Sequence, residues 1–206
     1  MTSINTTIRT FVALELPGEV KAALSETSHK FSAELGPSAR AIRWTRPESI
    51  HLTLQFLGEV PVRMQHLIKE GIARGCADQG TIDLSIGGLG VFPDLKRPRV
   101  VWVGLNGDDA NIQALRSLQS SVSHELSKIG FKPDKAFNPH LTLGRVREQA
   151  TDEEVVGISI VVARSTDQPI VTCAFRLNEV ILMKSDLRPS GSVYTKLVTV
   201  LLSQDG

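Results

Sequence analysis

His51 and His140 each open the same four-residue string, His-Leu-Thr-Leu, 89 residues apart in a chain of 206. On a strand, side chains two residues apart project from one face, about 7 Å apart along the backbone. Each string therefore presents an imidazole and a hydroxyl side by side. The imidazole donates or accepts a proton near neutrality, and the hydroxyl of Thr53 or Thr142 donates a hydrogen bond to an anionic oxygen. Two such strands facing each other would cage one phosphate. In-line displacement at phosphorus needs a base for the attacking water on one side and an acid for the leaving oxygen on the other. Two histidines can divide that work, and two threonines can hold the non-bridging oxygens. A lone strand histidine is usually structural, whereas a repeated string with the polar pair on the same parity is hard to ascribe to coincidence. His29, His66 and His124 lie on expected helices among polar neighbours and read as surface residues.

The elements that must position these strings can be read from periodicity. Residues 10–16 form a short apolar strand stopped by Pro17-Gly18, and residues 19–35 carry helical spacing. Residues 41–45 read as a second strand. From His51 the chain alternates, with Leu52, Leu54 and Phe56 on one face and His51, Thr53 and Gln55 on the other, until Gly58 closes the strand. Residues 62–77 suit a helix with an inner stripe of Met64, Leu67, Ile68 and Ile72. Strands at 81–89 and 99–105 are joined by a loop holding Lys96, Arg97 and Arg99, and residues 110–129 give the clearest helix. The second string alternates as the first does, with His140 and Thr142 opposite Leu141 and Leu143. Residues 152–163 are ambiguous, an acidic start running into a β-branched stretch, and read as helix or irregular chain. Strands at 171–184 and 193–202, linked by a turn-rich 186–192, finish the chain. Elements alternate in both halves and the strings occupy comparable places. The expected fold is α+β: a duplicated α/β unit forming two pseudo-symmetric lobes of antiparallel sheet, with outer helices around a central cleft. We expect one domain over residues 1–206 with its two lobes interleaved.

Composition narrows the partners. Lys and Arg number 23 against 22 Asp and Glu, so any hold on nucleic acid must come from a local cluster of cations. Cys76 and Cys173 are too few for a disulfide framework and read as reduced core thiols. No Asp/His cluster with ligand spacing points to a metal, and no cofactor is implied. The polar start and the lack of a long apolar stretch lead us to expect a soluble, cytoplasmic protein, and a monomer.

The string Arg43-Trp44 and Pro47-Glu48-Ser49-Ile50-His51-Leu52-Thr53-Leu54-Gln55-Phe56-Leu57-Gly58, with Asn138-Pro139-His140-Leu141-Thr142-Leu143-Gly144-Arg145, resembles the paired signature of the two-histidine phosphoesterases. The bacterial and archaeal RNA 2′,3′-cyclic phosphodiesterases, the LigT-like group, fit best. Residues 9–14 and 185–194 match the same group, so the resemblance covers nearly the whole chain. It implies hydrolysis of RNA or nucleoside 2′,3′-cyclic phosphate ends to 2′-phosphates without metal. It also implies His51 as proton donor and His140 as proton acceptor; the near-symmetric site does not itself distinguish the roles. Arg145 fits a basic position after the second string, where it would neutralise phosphate charge. Gln55 and the weak helix signal at 151–167 depart from the group's pattern.

Phe11, Trp44 and Tyr194 are candidates for stacking a base at the cleft edge, with core packing as the competing fate. The patch Lys96, Arg97 and Arg99 is a candidate guide for the RNA backbone, with a solvated loop as its alternative. Two other functions fit the same residues: RNA end joining (2′-5′ ligation), and a non-catalytic nucleotide or RNA-end-binding module.

Overall fold

The computed structural model describes residues 6–134, 136–167, 169–188 and 191–203. Within them nine strands form two antiparallel sheets. β1 (Thr7–Leu14), β3 (Leu52–Pro61), β8 (Glu179–Arg188) and β9 (Gly191–Leu201) make one sheet, in the order β3-β1-β8-β9. β2 (Ile42–Trp44), β4 (Ile82–Phe92), β5 (Val100–Asn106), β6 (Leu141–Val146) and β7 (Ala174–Leu177) make the other, in the order β2-β6-β5-β4-β7. Leaving β2 aside, β3-β1-β8-β9 lines up with β6-β5-β4-β7. The helices follow the same rule. α1 (Gly18–Leu35) and α3 (Asp109–Ser127) follow β1 and β5, while α2 (Gln65–Cys76) and α4 (Asp152–Arg164) follow the motif strands β3 and β6. The expected duplication is thus present, and it is interleaved: N-terminal β1 pairs with β8 from the far end of the chain, while β2 joins the second sheet.

One apolar core runs between the helices and one face of each sheet. It includes Val12, Leu14, Leu52 and Leu54 on one side and Val101, Val103, Leu141 and Leu143 on the other. α2 packs on α3, and α1 on α4. Covering one face of each sheet leaves the opposite faces to form the cleft.

Several local expectations need correction. β3 does not end at Gly58 but runs on to Pro61. Gly58 sits within it at φ 74°, beside Leu57, the extra residue of a bulge against β1. Residues 152–164 are helical. Thr151 accepts from the Glu154 amide and Glu154 in turn accepts from the Thr151 amide, a closed capping box that holds the start, while Ile158, Val161 and Val162 are buried against the core. The expected strand at 171–184 is two strands in different sheets, separated at Asn178, and β8 continues through the expected turn to Arg188. Leu67 is 41% exposed, and the inner face of α2 carries Gly71 and Gly75 instead. Cys76 is buried, with its thiol pushed up to about 11 by burial, whereas Cys173 is only part-buried. Pro189 and Ser190 lie outside the described residues.

Candidate active site

His51 lies immediately before β3, and His140 immediately before β6. Each ring is fixed by its own chain two residues back. Nδ1 of His51 is 2.9 Å from the Ser49 carbonyl, and Nδ1 of His140 is 2.7 Å from the Asn138 carbonyl. A carbonyl oxygen only accepts, so Nδ1 carries the hydrogen in both rings and Nε2 is left as the reactive nitrogen. The two rings sense one another, since the charge of His140 depresses the His51 pKa.

The strands then do something that simple alternation does not foresee. Ala13 pairs with Thr53 but Val12 pairs with Gln55, leaving Leu54 as an extra residue. Trp102 pairs with Thr142 and Val101 with Gly144, leaving Leu143 as the extra residue of β6. Both bulges fall at the fourth residue of the string, and each flips the parity that follows. Gln55 therefore joins Val12 on the core side, where its amide nitrogen donates to the Lys132 carbonyl (3.0 Å) and its oxygen accepts from Ser123 (2.7 Å). Gln55 is 0% exposed and does not share the His51 face as alternation predicted. Phe56, expected on the core side, pairs with Phe11 on the cleft side and is 57% exposed. Arg145 takes the equivalent place on β6, exposed and paired with Val100.

Aromatic rings wall both histidines. Phe11 stacks on His51 with ring centroids 4.5 Å apart, and Tyr194 meets the same imidazole edge-on at 5.0 Å. Phe92 meets His140 edge-on at 4.9 Å, and Trp102 leans toward it at 6.2 Å. The Trp102 indole lies across Gly90, where a Cβ would stand 2.2 Å from the ring. These walls exclude water and disfavour the charged imidazole. Burial pushes His51 down to about 4, opposed by its bond to Ser49 and the charge of Glu15 and reinforced by Lys21 and His140. His140 is lowered too, first by burial, with its bond to Asn138 opposing and the Arg145 charge adding.

His51, Thr53, His140, Thr142 and Arg145 are thus gathered on the cleft faces of two strands. Phe11 is 3% exposed and spent on His51, so it offers no free face to a base. Tyr194 is half-buried beside it. Trp44 meets Phe31 of α1 edge-on at 5.7 Å and packs on the core, while also lining a recess with Ser49, Arg145 and Tyr194. Lys96 and Arg97 belong to a turn whose amides donate to Asp94. Phe56, Phe92, Trp102 and Arg43 were not foreseen. Aligning the two strings would have marked Phe56 as the counterpart of Arg145. Among the described residues no three His, Cys, Asp or Glu side chains gather where they could hold a metal ion, and no helix is long and apolar enough to cross a membrane.

Two sheets related by a pseudo-twofold, each lending a His-x-Thr strand to one cleft, define a two-histidine phosphoesterase. The chain belongs to the 2′-5′ RNA ligase superfamily, whose profile matches residues 43–189. It is similar to the RNA 2′,3′-cyclic phosphodiesterase of Archaeoglobus fulgidus, with 31% identity over 92% of this chain and 98% of that one. It is similar also to the Thermotoga maritima protein of the same name, with 30% identity over 92% and 93%. Among solved structures, E. coli LigT complexed with 3′-AMP superposes with a TM-score of 0.68 at 26% identity, over 97% of this chain and all of that one.

Proposed function

We propose that the protein hydrolyses the 2′,3′-cyclic phosphate ends of RNA, or small cyclic nucleotides, to 2′-phosphates by metal-independent acid–base catalysis. The observation that carries this reading is the matched anchoring of the two imidazoles. Both spend Nδ1–H on a carbonyl two residues back, so both have Nε2 free to move a proton. Water attacks phosphorus, its proton passes to one Nε2, the P–O3′ bond breaks, and the other imidazolium protonates O3′. Thr53 and Thr142 donate to the non-bridging oxygens, and Arg145 offsets the charge that develops on them.

The pseudo-twofold is broken in a way that favours one division of labour. The His51 side carries the exposed ring of Phe56, a platform for a base, while the His140 side carries Arg145. Placing the nucleoside over Phe56 puts the ribose oxygen on the His51 side. His51 is then the acid and His140 the base, in agreement with the family expectation. A His51 lowered to about 4 in the open cleft is poorly protonated at neutral pH. The bound phosphate supplies the negative charge that raises it. Every group in this scheme comes from one chain, so the reading needs no second subunit.

The test is to incubate the protein with a nucleoside 2′,3′-cyclic phosphate in EDTA and assign the product by phosphorus NMR. The reading requires the 2′-phosphate. A 3′-phosphate, or no turnover until a divalent ion is restored, contradicts it.

A further inference from the structure

Beyond the catalytic groups, the cleft edge carries two cations, Arg43 and Arg99, that the hydrolytic scheme does not use. Arg43 on β2 lies directly opposite Arg145 on β6, and Arg145 lies opposite Val100 on β5, the residue after Arg99. These three arginines, with Arg147, whose Nε donates to the Arg40 carbonyl, border one open recess of about 380 Å³ running off the His140 strand. Like charges set opposite one another across strands destabilise a sheet. Of the other arginines, Arg40 is bonded to Glu154, Arg74 to Glu125 and Arg176 to Asp83. Arg43, Arg99 and Arg145 have no ion-pair partner among the described residues. Among the described residues the only carboxylate bordering the recess is Glu148, which pairs with none of them. An unbalanced triad at the mouth of a phosphate site is what an anionic ligand would complete.

The position suits a phosphate other than the one that reacts. Arg145 stands three residues past Thr142, about 10 Å along an extended strand and somewhat less across the bulge at Leu143. Arg145 is on β6 itself, the strand that carries Thr142. Arg43 and Arg99 belong to the chain segments on either side of β6, which carry neither Thr53 nor Thr142. Guanidinium groups favour phosphate because their planar donors match two of its oxygens at once.

We propose that Arg43 and Arg99, with Arg145 between them, form a subsite for a second phosphate of the substrate, so that the enzyme selects cyclic ends that carry another phosphate nearby. This rests on the phosphodiesterase reading above and names the substrate class it prefers. The second phosphate is either the next diester of an RNA chain or a 5′-phosphate on a single nucleoside. Both present the same chemistry to the arginines.

The experiment compares kcat/KM for three substrates sharing one terminal base: a nucleoside 2′,3′-cyclic phosphate, its 5′-phosphorylated form, and a dinucleotide ending in the cyclic phosphate. The native protein is expected to prefer one or both of the latter by roughly tenfold or more, the worth of one or two charge-assisted contacts. A gain with the dinucleotide alone supports an RNA chain as the source. An equal gain with the 5′-phosphorylated nucleoside supports a single nucleotide. Arg43→Gln combined with Arg99→Gln should bring the preference close to one, and should lower the salt slope of KM for the preferred substrate by about 0.7 per lost contact. Equal kcat/KM for all three substrates in the native protein overturns the subsite. So does a preference that survives the double substitution, or a loss that falls on all substrates in parallel. Absence of turnover on every cyclic phosphate would instead overturn the phosphodiesterase reading, so the two failures are distinguishable.

Discussion

Phe56 and Arg145 occupy the same place on the two motif strands, each three residues beyond the cleft threonine. Each is turned onto the cleft face by a bulge, at Leu54 in one strand and Leu143 in the other. The duplicated scaffold thus places two equivalent side chains on the two motif strands, and the sequence fills them with an aromatic ring and a cation. A symmetric scaffold so acquires an aromatic side and a charged side.

If Phe56 is the platform for the base, Phe56→Ala weakens binding more than chemistry. Stacking on an aromatic ring is worth roughly 1–3 kcal/mol per base, so KM should rise about tenfold or more with kcat little changed. Steady-state kinetics on a cyclic mononucleotide provide the check. A fall in kcat at unchanged KM would place the ring in the chemical step instead.

Both cleft imidazoles sit below their ordinary pKa, His51 at about 4, because burial among aromatic walls penalises the charged ring. The profile of kcat/KM reports the free enzyme. Its acid limb is the base gaining a proton and its alkaline limb is the acid losing one, so lowering both moves the bell downward. The maximum should lie on the acid side of pH 6.5, and an optimum above about 7.5 would contradict the electrostatics described here. The same shift bears on stability. Between pH 6.5 and about 4 the unfolded chain binds a proton at this position that folded His51 refuses. Stability therefore falls as pH drops through that window, by up to roughly 3 kcal/mol, and His51→Asn should flatten the fall.

α2 meets α3 through Gly75, where a Cβ would stand 2.7 Å from the Val122 Cα. Backbone cannot yield as a side-chain tip can, so Gly75→Ala should destabilise by about 1–3 kcal/mol although alanine is the better helix former. A denaturant titration would show the loss, and a more stable variant would mean that the helices can separate freely.

The family was legible in the sequence because a repeated local string carries it, and the resemblance of that string extended the reading to nearly the whole chain. Long helices such as α1 and α3 were legible from their period. What escaped was set by pairing between strands. The bulge at Leu54 depends on β1, and without it alternation assigns Gln55 to the cleft and Phe56 to the core, the reverse of what is found. The change of sheet at Asn178 is likewise a matter of partners, invisible in a run of strand-forming residues. α4 is a different case. Thr151 and Glu154 spell a capping box in the sequence, and the β-branched run outweighed it in the reading although burial against the core tolerates such residues in a helix. Trp102 and Phe92 came near His140 only through β4 and β5, which carry no motif of their own.

The proposed acid–base pair is tested most directly by the single-turnover rate of cyclic phosphate opening in His51→Ala and His140→Ala, measured at saturating substrate with folding verified by circular dichroism. Each proton transfer is typically worth roughly 10²–10⁴-fold, so each variant should lose at least a hundredfold in the chemical step while remaining folded. Near-native rates in either folded variant would contradict the acid–base pair.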